Sequence, residues 1–172
     1  MAFAAPRRTS LSAMLADIHH AVAGDAPGCP RRVAAAIHAY LHDPELLDGI
    51  ACPSCPNGYI RHLLHADSSG RYAVVALVWR PGQMSPVHAH RTWCALGVHR
   101  GVLSEAFYDL PEGNSSPCQT ATLLRGQGAV SFGPADLRTI HRLANLGTAE
   151  AVSIHVYGAS FDRFGQDVNH LF

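Results

Sequence analysis

Two histidines one residue apart, His88 and His90, stand in the stretch GQMSPVHAHRTWCALGVHRG, residues 82–101. Side chains alternate along a β-strand, so both imidazoles point to one face if this stretch is extended. Two imidazoles on one inward face can converge on a single metal ion, which a lone histidine cannot. A second run, AVSIHVY, sets Ser153, His155 and Tyr157 at the same alternation. A hydroxyl, an imidazole and a phenol on one strand face form a chain that can hold the tyrosine O–H in place and pass a proton. Each pattern taken singly has a plainer explanation, since polar residues also line ordinary barrel interiors.

The elements that must position these residues change character along the chain. Leu11, Met14, Leu15, Ile18 and Val22 recur at three- and four-residue spacing, which predicts an amphipathic helix over 10–22 with Thr9 or Ser10 as N-cap. AGDAPGCP breaks it, and a second helix is expected over about 31–42, with Val33, Ile37, Tyr40 and Leu41 on one side. Residues 44–56 are turn-rich. Beyond Asn57-Gly58, strands are expected at 61–66, 71–79, 94–99, 102–109, 119–125, 129–132, 138–144 and 151–158. They are separated by turn signals such as DSSG, PEGNSS, RGQG, GPAD and NLGTAE. Many short strands without intervening helices imply a mainly β antiparallel sandwich or barrel. A single domain over 1–172 is expected, with a helical part (1–56) packed outside a barrel (57–172).

Composition narrows the partners. Thirteen basic and thirteen acidic residues cancel, and no basic block stands out, so nucleic acid and anionic membrane are poor candidates. No apolar run approaches the roughly 20 residues of a membrane span. The N-terminal stretch has its arginines too late and its apolar segment too interrupted for a secretory signal, which leads to the expectation of a cytoplasmic protein with a ragged N-terminus. Five cysteines, an odd number, are expected as thiols in a reducing compartment.

The histidine stretch resembles the first cupin motif. Gly82 precedes His88 by five intervening residues, three residues separate His90 from Cys94, and six more lead to Gly101. The second cupin motif resembles Gly133-Pro134…His141-Arg-Leu-Ala-Asn145. The resemblance implies a cupin barrel and a third metal ligand, His141. Most cupins carry a carboxylate where this chain has Cys94. Three neutral histidines leave a divalent metal its full charge and open positions for an anionic substrate and dioxygen.

Three histidines with a cysteine at the carboxylate position are similar to the cysteine dioxygenases of that superfamily, and Ser153-x-His155-x-Tyr157 resembles an element of the same family. Tyr59-Ile-Arg61 lies where the family carries a Tyr-x-Arg whose arginine binds substrate carboxylate, a pairing the guanidinium fork suits. The resemblance covers roughly 59–163 and implies an Fe(II) thiol dioxygenase that converts a small thiol carboxylate and dioxygen into a sulfinic acid. It implies Tyr157, His155, Ser153 and Cys94 as catalytic residues, with Arg61 and Tyr59 binding substrate. Arg61 leans toward L-cysteine, because relatives acting on 3-mercaptopropionate often have glutamine there. WRPGQMSPVHAHRTW and SIHVYGA lean toward the bacterial thiol dioxygenases, and Gly158-Ala-Ser160 departs from the Ser-Pro-Pro of the animal enzyme.

Cys94 and Tyr157 match the two positions that the animal enzyme joins by a thioether. Cys94 is thus either half of a crosslink or a small buried hydrophobe. Cys52-x-x-Cys55 is expected to be loop structure, since no second such pair exists to complete a zinc site. Arg163 is the weaker of two candidates for the carboxylate, and His62, His65 and His99 are expected as surface or barrel residues. The rival of another class is a non-catalytic cupin that only binds a metal or small ligand.

Overall fold

The computed structural model describes residues 9–24, 28–113 and 115–172. Residues 1–8, the middle of the AGDAPGCP break (25–27) and Asn114 of the PEGNSS turn lie outside the described residues.

Two helices come first. Helix α1, Ser10–Ala23, is capped by Thr9, whose Oγ1 accepts from the Ser12 N–H at 3.2 Å, and it buries Met14 and Ile18. Helix α2, Cys29–His38, has proline in its first turn and buries Val33, Ala34 and Ile37. It ends four residues before the expected 42. The N–H groups of Tyr40 and Leu41 bond three residues back, to Ile37 and His38, so the chain tightens into turns. Leu41 stays fully buried all the same, which explains why its periodicity reads as helix.

Ten strands follow among the described residues: β1 Ile60–Ala66, β2 Ala73–Trp79, β3 His88–His90, β4 Cys94–Arg100, β5 Leu103–Asp109, β6 Cys118–Arg125, β7 Val130–Gly133, β8 Asp136–Ala144, β9 Ala151–Tyr157 and β10 Asn169–Leu171. They form two five-stranded antiparallel sheets, in the orders β1-β2-β9-β4-β7 and β10-β3-β8-β5-β6. This is the mainly β architecture with front helices that the sequence predicts. Strand β10 was not expected. A 3-10 turn at Phe161–Arg163 and a short helix α3, Phe164–Asp167, lead into it, and it pairs along β3 with Asn169 opposite His90. Among the described residues no helix is long and apolar enough to cross a membrane.

The first sheet is covered on both faces, and its strands divide their residues accordingly. Val74, Ala76, Ala95, Ile154 and Val156 pack with the helices, whereas Val75, Leu77, Trp79, Leu96 and Tyr157 pack with Leu103 and Leu143 of the second sheet. Burial on both faces is why β2 and β9 are buried along their whole length. The alternation sends Ser153, His155 and Tyr157 inward between the sheets, on the side that the histidines occupy.

Helix α2 sits against β4 at Gly97. A Cβ there would lie 2.6 Å from Leu41 Cδ1 and 3.0 Å from Ile37 Cγ2. Gly97→Val is therefore expected to overpack this layer by about 1–3 kcal/mol and to lower Tm by roughly 2–10 °C in a thermal melt. An unchanged Tm would mean that the helix does not dock there.

Candidate metal and substrate site

The register of the second sheet brings the histidines together. His88 on β3 pairs directly with His141 on β8, and a register shift follows before His90. The ligand atoms of His88, His90 and His141 all lie within 4.8 Å of one another, and all three side chains are buried. Ring centroids are 4.6–5.1 Å apart. His90 Nε2 and His141 Nε2 face each other at 3.0 Å.

The outward nitrogens show which atoms remain for a ligand. His88 Nδ1 lies 3.0 Å from the Pro86 carbonyl, so an Nδ1–H donates there and Nε2 is free. His141 Nδ1 lies 2.9 Å from Glu105 Oε1, with the same consequence. His90 Nδ1 has no hydrogen bond of normal geometry, and neither has the side-chain oxygen of Asn169, the β10 residue paired with His90. Burial and the neighbouring imidazoles push the His88 pKa down to about 4 and that of His90 down to about 3. Three imidazoles, each presenting Nε2 inward with its other nitrogen backed or turned outward, are the donor set of a divalent first-row metal. The residues present fit such an ion.

Beside this cluster runs a buried hydrogen-bonded line. Trp79 Nε1–H donates to Ser153 Oγ at 2.9 Å, Ser153 Oγ lies 2.8 Å from His155 Nε2, and His155 Nδ1 lies 3.1 Å from the Tyr157 hydroxyl. The indole can only donate and takes one lone pair of Ser153 Oγ, and the following arrangement satisfies every member. Ser153 gives its proton to His155 Nε2, His155 donates from Nδ1 to the Tyr157 oxygen, and the Tyr157 O–H is left to donate into the cavity. Burial, reinforced by the Arg61 charge, holds the His155 pKa well below its ordinary value, so the ring is neutral as this line requires. Burial and then Cys94 raise the Tyr157 pKa. The Tyr157 ring stands 5.7 Å from that of His90.

Cys94 on β4 is directly opposite Tyr157 on β9. Burial, then Glu105, push its thiol pKa up to about 12. Tyr59 stacks on Trp79 at 4.3 Å, and the exposed Arg61 donates to the Tyr59 hydroxyl at 3.3 Å. Tyr59, Trp79, Arg61, the three histidines, His155 and Tyr157 line one cavity. Its walls carry one guanidinium and no carboxylate.

The structure thus brings together all nine residues singled out in the sequence: His88, His90, His141, Ser153, His155, Tyr157, Cys94, Arg61 and Tyr59. Arg163 lies elsewhere, on a separate polar surface, and is ion-paired with Asp167. Cys52 and Cys55 are half-buried free thiols, His62 meets the Pro53 carbonyl, and His99 is held by the Leu41 carbonyl. Three residues escaped the sequence analysis: Trp79, Asn169 and Glu105. Glu105 had a signal, because it alternates with the apolar Leu103 and Phe107 on one face of its strand. Its burial opposes ionisation, but the hydrogen bond from His141 and the Arg125 guanidinium outweigh that and hold its pKa below the ordinary value.

A thiol buried and shifted this far is almost wholly protonated at neutral pH, whereas Cys118 is exposed. Alkylation of the native protein is expected to label Cys118 orders of magnitude faster than Cys94, as read by peptide mass spectrometry. Equal labelling would contradict the placement of Cys94.

A family model described as Cysteine dioxygenase type I matches residues 3–166. Among solved structures, a protein from Thermus thermophilus is 16% identical, with a TM-score of 0.48 and coverage of 63% of this chain and 90% of that one. A sugar phosphate isomerase from a cupin superfamily, from Silicibacter pomeroyi, is 19% identical, with a TM-score of 0.48 and coverage of 60% and 61%. A Klebsiella pneumoniae protein with a double-stranded β-helix domain is 22% identical, with a TM-score of 0.46 and coverage of 67% and 88%.

Proposed function

The chain belongs to the cysteine dioxygenase type I family of thiol dioxygenases, and from that premise we propose that it oxidises the thiol of a small thiol carboxylate, L-cysteine first, to the sulfinic acid with dioxygen. The observation that carries this reading is the charge pattern of the cavity. Three imidazoles and one guanidinium face a space whose walls hold no carboxylate. With a divalent ion present the cavity is strongly positive, which suits a ligand that brings both a thiolate and a carboxylate.

His88, His90 and His141 are the residues that would hold Fe(II). When bound, Fe(II) supplies the acidity that makes a thiol a thiolate and the reactivity toward dioxygen. The remaining work falls to the chain. Arg61, steadied by the Tyr59 hydroxyl, pairs with the substrate carboxylate at the cavity mouth. Trp79, Ser153 and His155 hold Tyr157 so that its O–H donates toward the reacting sulfur and oxygen atoms. Leu77, Leu96 and Leu143 line the same cavity and keep water from its walls.

One observation favours a second substrate. No acid in the cavity wall would receive the ammonium of cysteine, so an amine-free thiol such as 3-mercaptopropionate fits the same walls. Oxygen uptake by the iron-loaded protein with the two thiols side by side distinguishes them. L-cysteine is expected to give the higher kcat/KM, and Arg61→Ala is expected to raise its KM about tenfold to a hundredfold, as for a lost charge-assisted pair. A higher kcat/KM for 3-mercaptopropionate would transfer the assignment to that thiol. No thiol-dependent uptake at all would leave a binding protein in place of an enzyme.

The Cys94–Tyr157 thioether belongs to the same proposal. Residues directly opposite on antiparallel strands have Cβ atoms about 4.5–5.5 Å apart, and Cys94 and Tyr157 are such a pair. Joining Sγ to the phenol ring removes two hydrogens, with dioxygen as the oxidant. After turnover with iron and oxygen, peptide mass spectrometry is expected to find the two peptides linked and lighter by two hydrogens. Two unlinked peptides at full mass would overturn it.

A further inference from the structure

The carboxylate that is missing from the histidine face stands one layer behind it. Glu105 lies on β5, next to β8 in the second sheet, and is fully buried. Its Oε1 accepts from His141 Nδ1 at 2.9 Å and from Ser131 Oγ at 3.0 Å. Its Oε2 is held by Arg125, with both Nε and an Nη at 2.7 Å. The two oxygens are thereby divided: one is tied down by the neighbouring strand β6, and the other is aimed at an imidazole.

Of the three histidines, His141 alone is backed by a charged group. His88 meets a backbone carbonyl, and His90 Nδ1 lacks a partner of normal geometry. An ionised carboxylate on Nδ1–H fixes the tautomer, aims the ring and makes Nε2 a stronger donor. We propose that Glu105 is a positioning residue for the metal ion, acting through His141, and that Arg125 and Ser131 hold its carboxylate back from the metal itself. This inference rests on the metal-site reading of His88, His90 and His141. It explains why a cupin site that carries cysteine at the usual carboxylate position still keeps an acid: the anion stabilises the ion from behind, and the cavity side stays free for an anionic substrate.

The competing explanation is a strut. Glu105 and Arg125 join β5 to β6, and a buried carboxylate needs a cation whatever its other contacts. The two explanations separate because Arg125→Met and Glu105→Gln remove the same ion pair, but only the second alters the group bonded to His141.

The test is the affinity of the full-length apo-protein for Co(II), a redox-inert probe of the site, by competition with a chelator, together with the visible spectrum of the cobalt protein and the Tm of each apo-variant. Glu105→Ala is expected to weaken Co(II) binding about 10- to 100-fold and to shift the cobalt spectrum. Glu105→Gln, which keeps an oxygen able to accept from Nδ1–H and is close to isosteric, is expected to lose affinity to a lesser degree, and it carries the test if the alanine variant does not fold. Arg125→Met is expected to lower Tm but to bind Co(II) more tightly than Glu105→Ala. The proposal is overturned if either Glu105 variant binds Co(II) as the unaltered chain does with an unshifted spectrum, or if affinity falls equally in the Arg125 and Glu105 variants. His88→Ala keeps the two levels apart. If the unaltered chain binds Co(II) and His88→Ala does not, the metal reading stands whatever the Glu105 variants do; if the unaltered chain binds none, the metal reading itself fails.

Discussion

Three imidazoles share one buried wall because β3 and β8 pair with His88 opposite His141. Removing an imidazolium from water is costly, and that cost holds His88 and His90 neutral. Neutral rings leave a second difficulty, since the Nε2 atoms of His90 and His141 stand 3.0 Å apart and one of them can donate to the other only at the expense of its lone pair. A cation accepting all three lone pairs resolves this, and the backing of the Nδ1 atoms by Pro86 and Glu105 already turns two of the rings toward that arrangement.

From this wall the surroundings divide by charge. Behind His141 lies a buried acid and its arginine; in front lies a cavity without an acid and with Arg61 at its mouth. A divalent ion on this wall would give that cavity a positive field. Beside the cavity, a line runs from Trp79 through Ser153 and His155 to the Tyr157 hydroxyl, and with His155 donating from Nδ1 it leaves that hydroxyl a proton to offer. The first sheet can carry this line because the helices cover its other face, so that every second residue of β9 is committed to packing and the rest are released for chemistry.

The parts of this site that lie on single strands were legible in the sequence, because strand alternation fixes which residues share a face. His88 with His90, and Ser153 with His155 and Tyr157, needed nothing more. Their meeting with His141 and Cys94 depended on motif spacing over some fifty residues, which periodicity alone does not reach. Glu105, Trp79 and Asn169 were not found, for different physical reasons. Trp79 closes an apolar run, and its indole N–H matters only once Ser153 is beside it. Asn169 sits on a three-residue strand too short to give a pattern. Glu105 is stabilised by Arg125 and Ser131 from two other strands, a three-way contact that no local window contains. The early end of α2 has the same origin: Leu41 is buried by tertiary packing, and its spacing continues the helical pattern after the hydrogen bonds have changed.

The central claim is that this wall of histidines places a thiol and dioxygen together so that the sulfur takes up both oxygen atoms. Single-turnover oxidation of L-cysteine by the iron-loaded protein under ¹⁸O₂, with the product weighed by mass spectrometry, measures that directly. Both oxygens of the sulfinic acid are predicted to carry the label. A product with oxygen drawn from water, or cystine in place of a sulfinate, would contradict it.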